Sequence, residues 1–252
     1  MKTSGLITRR GAILAGLASA GGLVLARFPK DLPPTYGNLL RMGDTFTYGV
    51  HRALLPGQAL AKEYGLHDVT SFPATGTTDP AVTVKSEIGE AYRRLQSGAF
   101  ADWRLPVEGS VARPRAFSLA ELKQLPSRTQ ITRHTCEEGW TAIGQWTGVP
   151  LGLVLEAAGI LPAARFVVFH SYDDWVDSID LLDALHPQTI LAYGMNGRDL
   201  PIPHGAPVRL RVERQIGYKS MKYLKRIVVT DTFDDGGKKG NIQNGWAWYN
   251  GI

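Results

Sequence analysis

Apolar and polar residues follow two spacings along this chain, one of helical period and one of strand period. Leu151, Val154, Leu155 and Ala158 recur at helical intervals and stop at Gly159, which predicts a helix over 151–158. Ser118 followed three residues on by Glu121 is a capping-box pattern, so a helix is expected from 118 to 122. A third short helix is expected over Glu87–Leu95. Strands are predicted at 102–109, 129–134, 166–169, 190–193, 208–212 and part of 223–230, where apolar or β-branched residues run between turn residues. Asn196-Gly197 is a strong hairpin-turn signal. Upstream, 44–81 is rich in Gly, Pro and Thr without a sustained helical period, which predicts loop and short strands. The expectation is a mixed α+β single domain with more strand than helix, and no G-x-G-x-x-G or P-loop marks a nucleotide-binding sheet.

The first 26 residues follow a different logic. Thr8-Arg9-Arg10 stands directly ahead of an apolar, Gly/Ala-rich run from Ala12 to Ala26, too short for the ~20 residues that span a bilayer as a helix. A charged start, a short apolar stretch and small residues at Ala18-Ser19-Ala20 read as an export signal. The arginine pair points to the twin-arginine route and hence to a periplasmic or otherwise exported protein. That route carries folded proteins and suits one that acquires a cofactor before crossing. The expected organisation is therefore a signal over 1–26, a Pro-rich linker or arm over 27–43, and one domain over 44–252.

Composition changes the picture only modestly. The 252 residues are 44% hydrophobic and 20% charged, enough for a sizeable core. The formal net charge is +5, yet Lys2, Arg9 and Arg10 are basic and no acid lies in 1–26. Without that segment 25 of the 28 basic side chains face 23 acids, so no concentrated basic surface argues for nucleic acid. The single cysteine excludes an internal disulfide, and an odd thiol in an oxidising compartment calls for burial or a ligand.

Three constellations could carry chemistry. Cys136 sits in Arg133-His134-Thr135-Cys136-Glu137-Glu138-Gly139-Trp140, on a loop after a predicted strand. Such a thiolate serves either as a nucleophile activated by a histidine or as a ligand to a metal. Glu137 and Glu138 raise the pKa of a free thiol and oppose the first use, whereas a metal cation overrides them. No C-x-x-C or spaced histidine pair accompanies it, which speaks against zinc. The second constellation is His204-Gly205-Ala206-Pro207-Val208-Arg209 with Glu213-Arg214-Gln215-Ile216-Gly217-Tyr218-Lys219-Ser220-Met221-Lys222. Its basic side chains around a Gly-containing loop suit an anion, and equally a solvated basic hairpin. The third, Asp44–Arg52, says little alone. Asp173, Asp174 and Asp177 lack calcium-loop spacing and read as a solvated loop.

In this order the segments resemble the molybdopterin-binding domain of the sulfite oxidase family. The resemblance runs through Phe46–His51, an Arg104-Leu105-x-Val107-x-Gly109 strand, Thr135-Cys136, Leu191–Gly197, His204–Arg209 and Lys219–Lys222. It is strongest over Arg104–Thr230, and nearest to exported bacterial members that include periplasmic methionine sulfoxide reductase catalytic subunits. The resemblance implies a molybdenum–pterin cofactor with Cys136 as the protein's ligand to the metal. It also implies that Gly49, Val50, His51 and Ser171 contact the cofactor, that His204 and Arg209 meet the pterin and phosphate, and that Ser220, Met221 and Lys222 close over the phosphate. Glu138, two residues past the cysteine, is the expected proton or water handler.

The implied reaction is oxygen-atom transfer on a small or protein-bound substrate such as a sulfoxide or N-oxide, with electrons exchanged with a separate membrane cytochrome b. Sulfite oxidation is the alternative. Sulfite-oxidising members carry an arginine shortly after the cysteine, where this chain has Glu137-Glu138-Gly139-Trp140. Two readings from other classes remain: a secreted binding protein on the same fold without redox activity, and a cysteine-nucleophile hydrolase.

Overall fold

A computed structural model describes residues 39–252 except 56, 58 and 235. The signal read over 1–26 and most of the expected arm lie outside the described residues. The chain divides into two units, 1–56 and 57–252, each described separately below.

In the first unit, helix α1 spans Leu39–Leu54. This differs from the loop and short strands expected from residue 44, and α1 begins inside the segment read as an arm. Gly43, Thr45, Thr47 and Gly49 lower helix propensity and obscured it. Its period survives in Thr45, Tyr48 and Gly49, buried on one face at i, i+3 and i+4. The Arg52 guanidinium lies 5.2 Å over the Tyr48 ring one turn earlier.

The second unit begins with an irregular stretch to residue 79, then two short helices, α2 (Pro80–Thr83) and α3 (Glu87–Ser97). Two five-stranded sheets follow. In the first the order is β2 (Arg115–Ser118), β1 (Arg104–Gly109), β10 (Leu224–Thr230), β5 (Phe166–Ser171) and β6 (Val176–Asp180). β1 pairs parallel with β10, and the other pairs in this sheet are antiparallel. In the second sheet, β3 (Arg128–Thr135), β4 (Thr141–Pro150), β7 (Ile190–Met195) and β8 (Arg198–Asp199) are adjacent in order, while β9 (Arg209–Arg211) pairs with β7. Helices α4 (Leu119–Gln124), α5 (Leu151–Ala158) and α6 (Leu181–Ala184) complete the unit.

The expected α+β, strand-rich architecture is the one observed. Ser118 caps α4 with the reciprocal Glu121 bond that the sequence pattern predicts. Helix α5 stops at Gly159, whose φ of 73° is the left-handed conformation that glycine adopts without a Cβ penalty. Asn196 and Gly197 both have positive φ and turn β7 into β8. The main core joins Leu105 and Val107 of β1, Val167 and Phe169 of β5, and Ile227 and Val229 of β10 to Leu151, Val154 and Leu155 of α5. Each such fully buried apolar side chain contributes roughly 1.5–3 kcal/mol.

Strands β2, β4 and β6 were not expected. In β4, glycines 144 and 148 weaken the strand signal, but Gly148 lies so close to β7 that a Cβ there would stand 2.2 Å from the Leu191 carbonyl oxygen. β6 contains Asp177, so the solvated-loop reading of the acidic group is wrong for that residue. Asp177 is buried because Lys219, also buried, donates to its Oδ1 at 2.6 Å. The remoteness of Lys219 in the sequence hid the pairing.

Candidate active site

The site begins with a polar inner face on β3. Strand period 2 sends Gln130, Thr132 and His134 inward, and Cys136 continues the series just past the strand end. Buried polar groups need partners. Gln130 donates to the Gln188 carbonyl and to Glu213, and Glu213 accepts two further bonds from Arg211 at 2.9 and 2.8 Å. Arg211 in turn donates to His134 Nδ1 at 2.7 Å. An arginine only donates, so Nδ1 is the acceptor and the neutral ring carries its proton on Nε2. Burial, then the charges of Arg211 and Arg209, hold His134 far below the usual imidazole pKa.

Cys136 opens the turn from β3 to β4. Its amide donates to the Trp140 carbonyl at 2.9 Å, and Gly139 takes φ 91° to close the turn. The residue is buried, and the thiol donates to Glu137 Oε2 at 3.4 Å. Burial pushes the thiol pKa up to about 11, with Glu137 and Glu138 adding to it. A thiol so protonated is a poor nucleophile at neutral pH. A metal cation would reverse that. Glu138 accepts from Trp140 Nε1 at 2.9 Å, and the Trp140 ring stacks on His134 at 5.3 Å.

The basic loop is not a solvated hairpin. β9 and the turn after it place Arg209, Arg211, Arg214 and Lys219 in the interior. The alternating Val208–Val212 segment is buried on both faces: Val208, Leu210 and Val212 join the main core, while Arg209 and Arg211 lie over the Trp146 ring at 5.0 and 4.4 Å. Arg209 donates to the His204 and Ser220 carbonyls at 3.0 and 2.8 Å, and its buried Nε has no partner. Burial, with Arg211 next, draws its pKa down to about 9, which leaves it cationic at neutral pH. The Lys222 ammonium donates to the Thr75 and Pro203 carbonyls at 2.9 and 3.2 Å and also to that of Thr77. Burial and Arg209 lower it to about 8. His204, half-buried, falls to about 4 from burial and the same two cations. Ser220 Oγ accepts from the Val212 amide at 3.1 Å, leaving its hydroxyl proton available to donate.

One pocket brings together Cys136, Glu138, His204, Arg209, Ser220, Met221 and Lys222. Ser171 is not in its lining; it anchors the following turn by donating to the Trp175 carbonyl at 3.0 Å and to Asp173, and that turn carries Asp173 and Trp175 into the wall. Gly49, Val50 and His51 belong to α1 of the first unit. Phe72 and Thr75–Thr77 also line the pocket, as do His134, Asp177, Tyr218, Asn241 and Trp246. The only hint of the 72–77 loop in the sequence is its Gly/Pro/Thr content, and nothing local signals Asn241.

A buried, half-satisfied guanidinium beside an ammonium held only by carbonyls suits a multivalent anion such as a phosphate. A sheltered thiol among acids suits a metal. These residues fit a molybdenum–pterin group with a terminal phosphate. The family model of the oxidoreductase molybdopterin-binding domain matches residues 94–237. The chain belongs to that family. A relative in Azospira oryzae, a subunit named YedZ1 and assigned by name to a protein-methionine-sulfoxide reductase, is 41% identical over 151 residues, 60% of this chain and 56% of its own length. The protein-methionine-sulfoxide reductase catalytic subunit MsrP of Xanthomonas axonopodis pv. citri is 33% identical over 183 residues, 64% of this chain and 53% of its own. This molybdopterin-domain chain therefore spans about half the length of the curated relatives it matches. The sulfane dehydrogenase SoxCD of Paracoccus pantotrophus shares the fold, with a TM-score of 0.50 and 24% identity over 52% of this chain and 39% of that one.

Proposed function

We propose that this chain is a molybdopterin-dependent oxidoreductase acting on a sulfoxide or N-oxide, small or carried on a protein. The observation that carries the reading is the convergence of Cys136 with Arg209 and Lys222 on one pocket, from segments otherwise remote in the sequence. Cys136 would be the protein's metal ligand, with His204, Arg209, Ser220, Met221 and Lys222 on the pterin and phosphate. Gly49, Val50, His51 and Ser171 remain part of the proposed cofactor environment on resemblance alone. When bound, the group supplies two-electron oxygen-atom transfer chemistry.

The chain's own contribution is to position and to exclude. Arg209 and Lys222 neutralise and orient an anion, each fixed by carbonyls that leave little rotational freedom. Arg211 fixes the His134 tautomer with Nε2–H as donor. Glu138, held by the Trp140 indole, is placed to take or release a proton or to orient water. Glu137 and Glu138 follow the cysteine directly and repel an anionic substrate, which favours an uncharged or cationic oxide over sulfite.

Electrons would come from a separate membrane cytochrome b, a reading supported by relatives named as subunits. No helix among the described residues is long and apolar enough to cross a membrane, and we take 1–26 as a twin-arginine signal ahead of the arm over 27–43 and the domain over 44–252. The test is elemental assay of chain matured in a molybdopterin-producing host, with dye-coupled reduction of sulfoxides, N-oxides and oxidation of sulfite. One molybdenum per chain, cysteinyl sulfur in its first shell by X-ray absorption and turnover of an uncharged oxide are expected. Absence of the metal, or of any turnover, refutes the reading.

A further inference from the structure

The family match ends at residue 237, yet the pocket wall continues beyond it. Asn241 and Trp246 come from the stretch 240–252, whose end runs along residues 214–218. Several contacts fix this arm. Trp248 is buried, donates to Ser178 Oγ at 2.9 Å, and packs edge-on against Phe166 and Phe233. Asn241 donates to Asp177 at 2.6 Å. The Ile216 amide donates to the Asn250 carbonyl at 2.9 Å, and the Ile252 amide to that of Arg214 at 3.1 Å. Tyr218 donates its hydroxyl to the Ala247 carbonyl at 2.5 Å.

So anchored, the arm holds Trp246 differently from its neighbour Trp248. Trp246 is 39% exposed against 4% for Trp248, and its ring lies 5.5 Å from that of Tyr218 at 38°. Trp175, also in the lining, is 38% exposed. Partly exposed indoles in a pocket lining offer apolar surface to a ligand. None of the three rings is a cation or acid that could serve the anion end of the site.

We propose that Trp246 is a specificity-determining residue. With Trp175 and Tyr218 it forms an aromatic wall that selects methyl sulfoxides bearing an aromatic or other broad apolar substituent over small ones such as dimethyl sulfoxide. Sulfur and aromatic substituents both gain contact with such a wall, whereas dimethyl sulfoxide covers little of it. The proposal rests on the sulfoxide reading above, and it assigns part of the selection to a residue beyond the stretch that the family model matches.

Two measurements on the holoenzyme test it. Steady-state kinetics with a dye donor compares methyl p-tolyl sulfoxide with dimethyl sulfoxide in the wild-type chain, Trp246→Ala and Trp246→Phe, each normalised to molybdenum content. The kcat/KM ratio of aryl to dimethyl substrate is expected to fall about three- to tenfold in Trp246→Ala, mainly through KM, and to recover in part in Trp246→Phe. Hydrogen exchange on the wild-type holoenzyme, without donor, is expected to slow across 241–248 when the aryl sulfoxide binds. An unchanged ratio in a metal-loaded variant overturns the proposal, and so does unaltered exchange in the arm. Failure of the wild-type enzyme to reduce any sulfoxide is a different result, because it removes the functional reading itself.

Discussion

Arg211 donates to Nδ1 of His134 at 2.7 Å while its other edge grips Glu213. A single guanidinium thus links a buried carboxylate to the imidazole two residues before the cysteine, and keeps the neutral ring's proton on Nε2. The arrangement makes Glu213 costly to alter. Glu213→Gln leaves Arg211 buried at 1% exposure without its counter-charge, a loss of about 3–5 kcal/mol. Urea unfolding at neutral pH checks this; a change under 1 kcal/mol would mean the network is dispensable.

Gly217 stands where the His134 ring allows no side chain. A Cβ there would lie 2.4 Å from His134 Nε2 and 3.0 Å from the Thr135 carbonyl oxygen. Gly217→Ala must therefore displace the ring or the turn that carries Ser220. Molybdenum content is expected to drop severalfold while the bulk of the fold persists by circular dichroism. Full metal loading would show that the turn has slack.

In metal-free folded chain, Cys136 should alkylate slowly. With its pKa near 11 the thiolate fraction at pH 7.5 is very small, so iodoacetamide is expected to react at least tenfold more slowly than with the urea-unfolded chain. Fast labelling in the folded state would revive the nucleophile reading.

Arg209→Lys tests the anion end. Lysine cannot reach both the His204 and Ser220 carbonyls while presenting a planar fork, so retention of the molybdenum group is expected to weaken about tenfold or more. Metal content after extended dialysis reads the effect, and wild-type retention counts against a phosphate contact at Arg209.

Stability should fall on mild acidification. His186 Nδ1 accepts from the Gln188 amide, so Nε2 carries the proton toward the Ala59 carbonyl; the neutral ring is fully used. Burial lowers its pKa, as it does those of His170 and His204, the last to about 4. In the unfolded chain these rings protonate near pH 6.5. Below that the unfolded state binds more protons, so the contribution is complete above about pH 6.5 and declines toward the folded values. Denaturation midpoints at pH 7.5, 6.5 and 5.5 should descend, and His186→Gln should flatten the slope.

Much of the site was legible because its chemistry is concentrated in short segments. Thr129–His134 declared a strand, and the Glu pair after Cys136 declared acids that add to the rise that burial causes in the thiol pKa. The basic loop announced an anion, but its depth was invisible: arginines alternating with Val and Leu look like a half-solvated strand until Trp146 is seen beneath them. Helix α1 hid behind its glycines and threonines, and β4 behind glycines that serve close strand contact. Asp177 and Trp246 owe their roles to partners or walls distant in sequence, which no local pattern records.

The position of β10 between β1 and β5 has a kinetic consequence. The first strand of this sheet can find its parallel neighbour only after residue 224 has been synthesised, and the segment bearing Arg209 and Lys222 leads directly into that strand. A nascent chain on the ribosome therefore holds an open sheet edge and an unassembled anion cradle until β10 has emerged. Assembly of the anion cradle must wait for β10, and chaperone demand should be highest before that strand arrives.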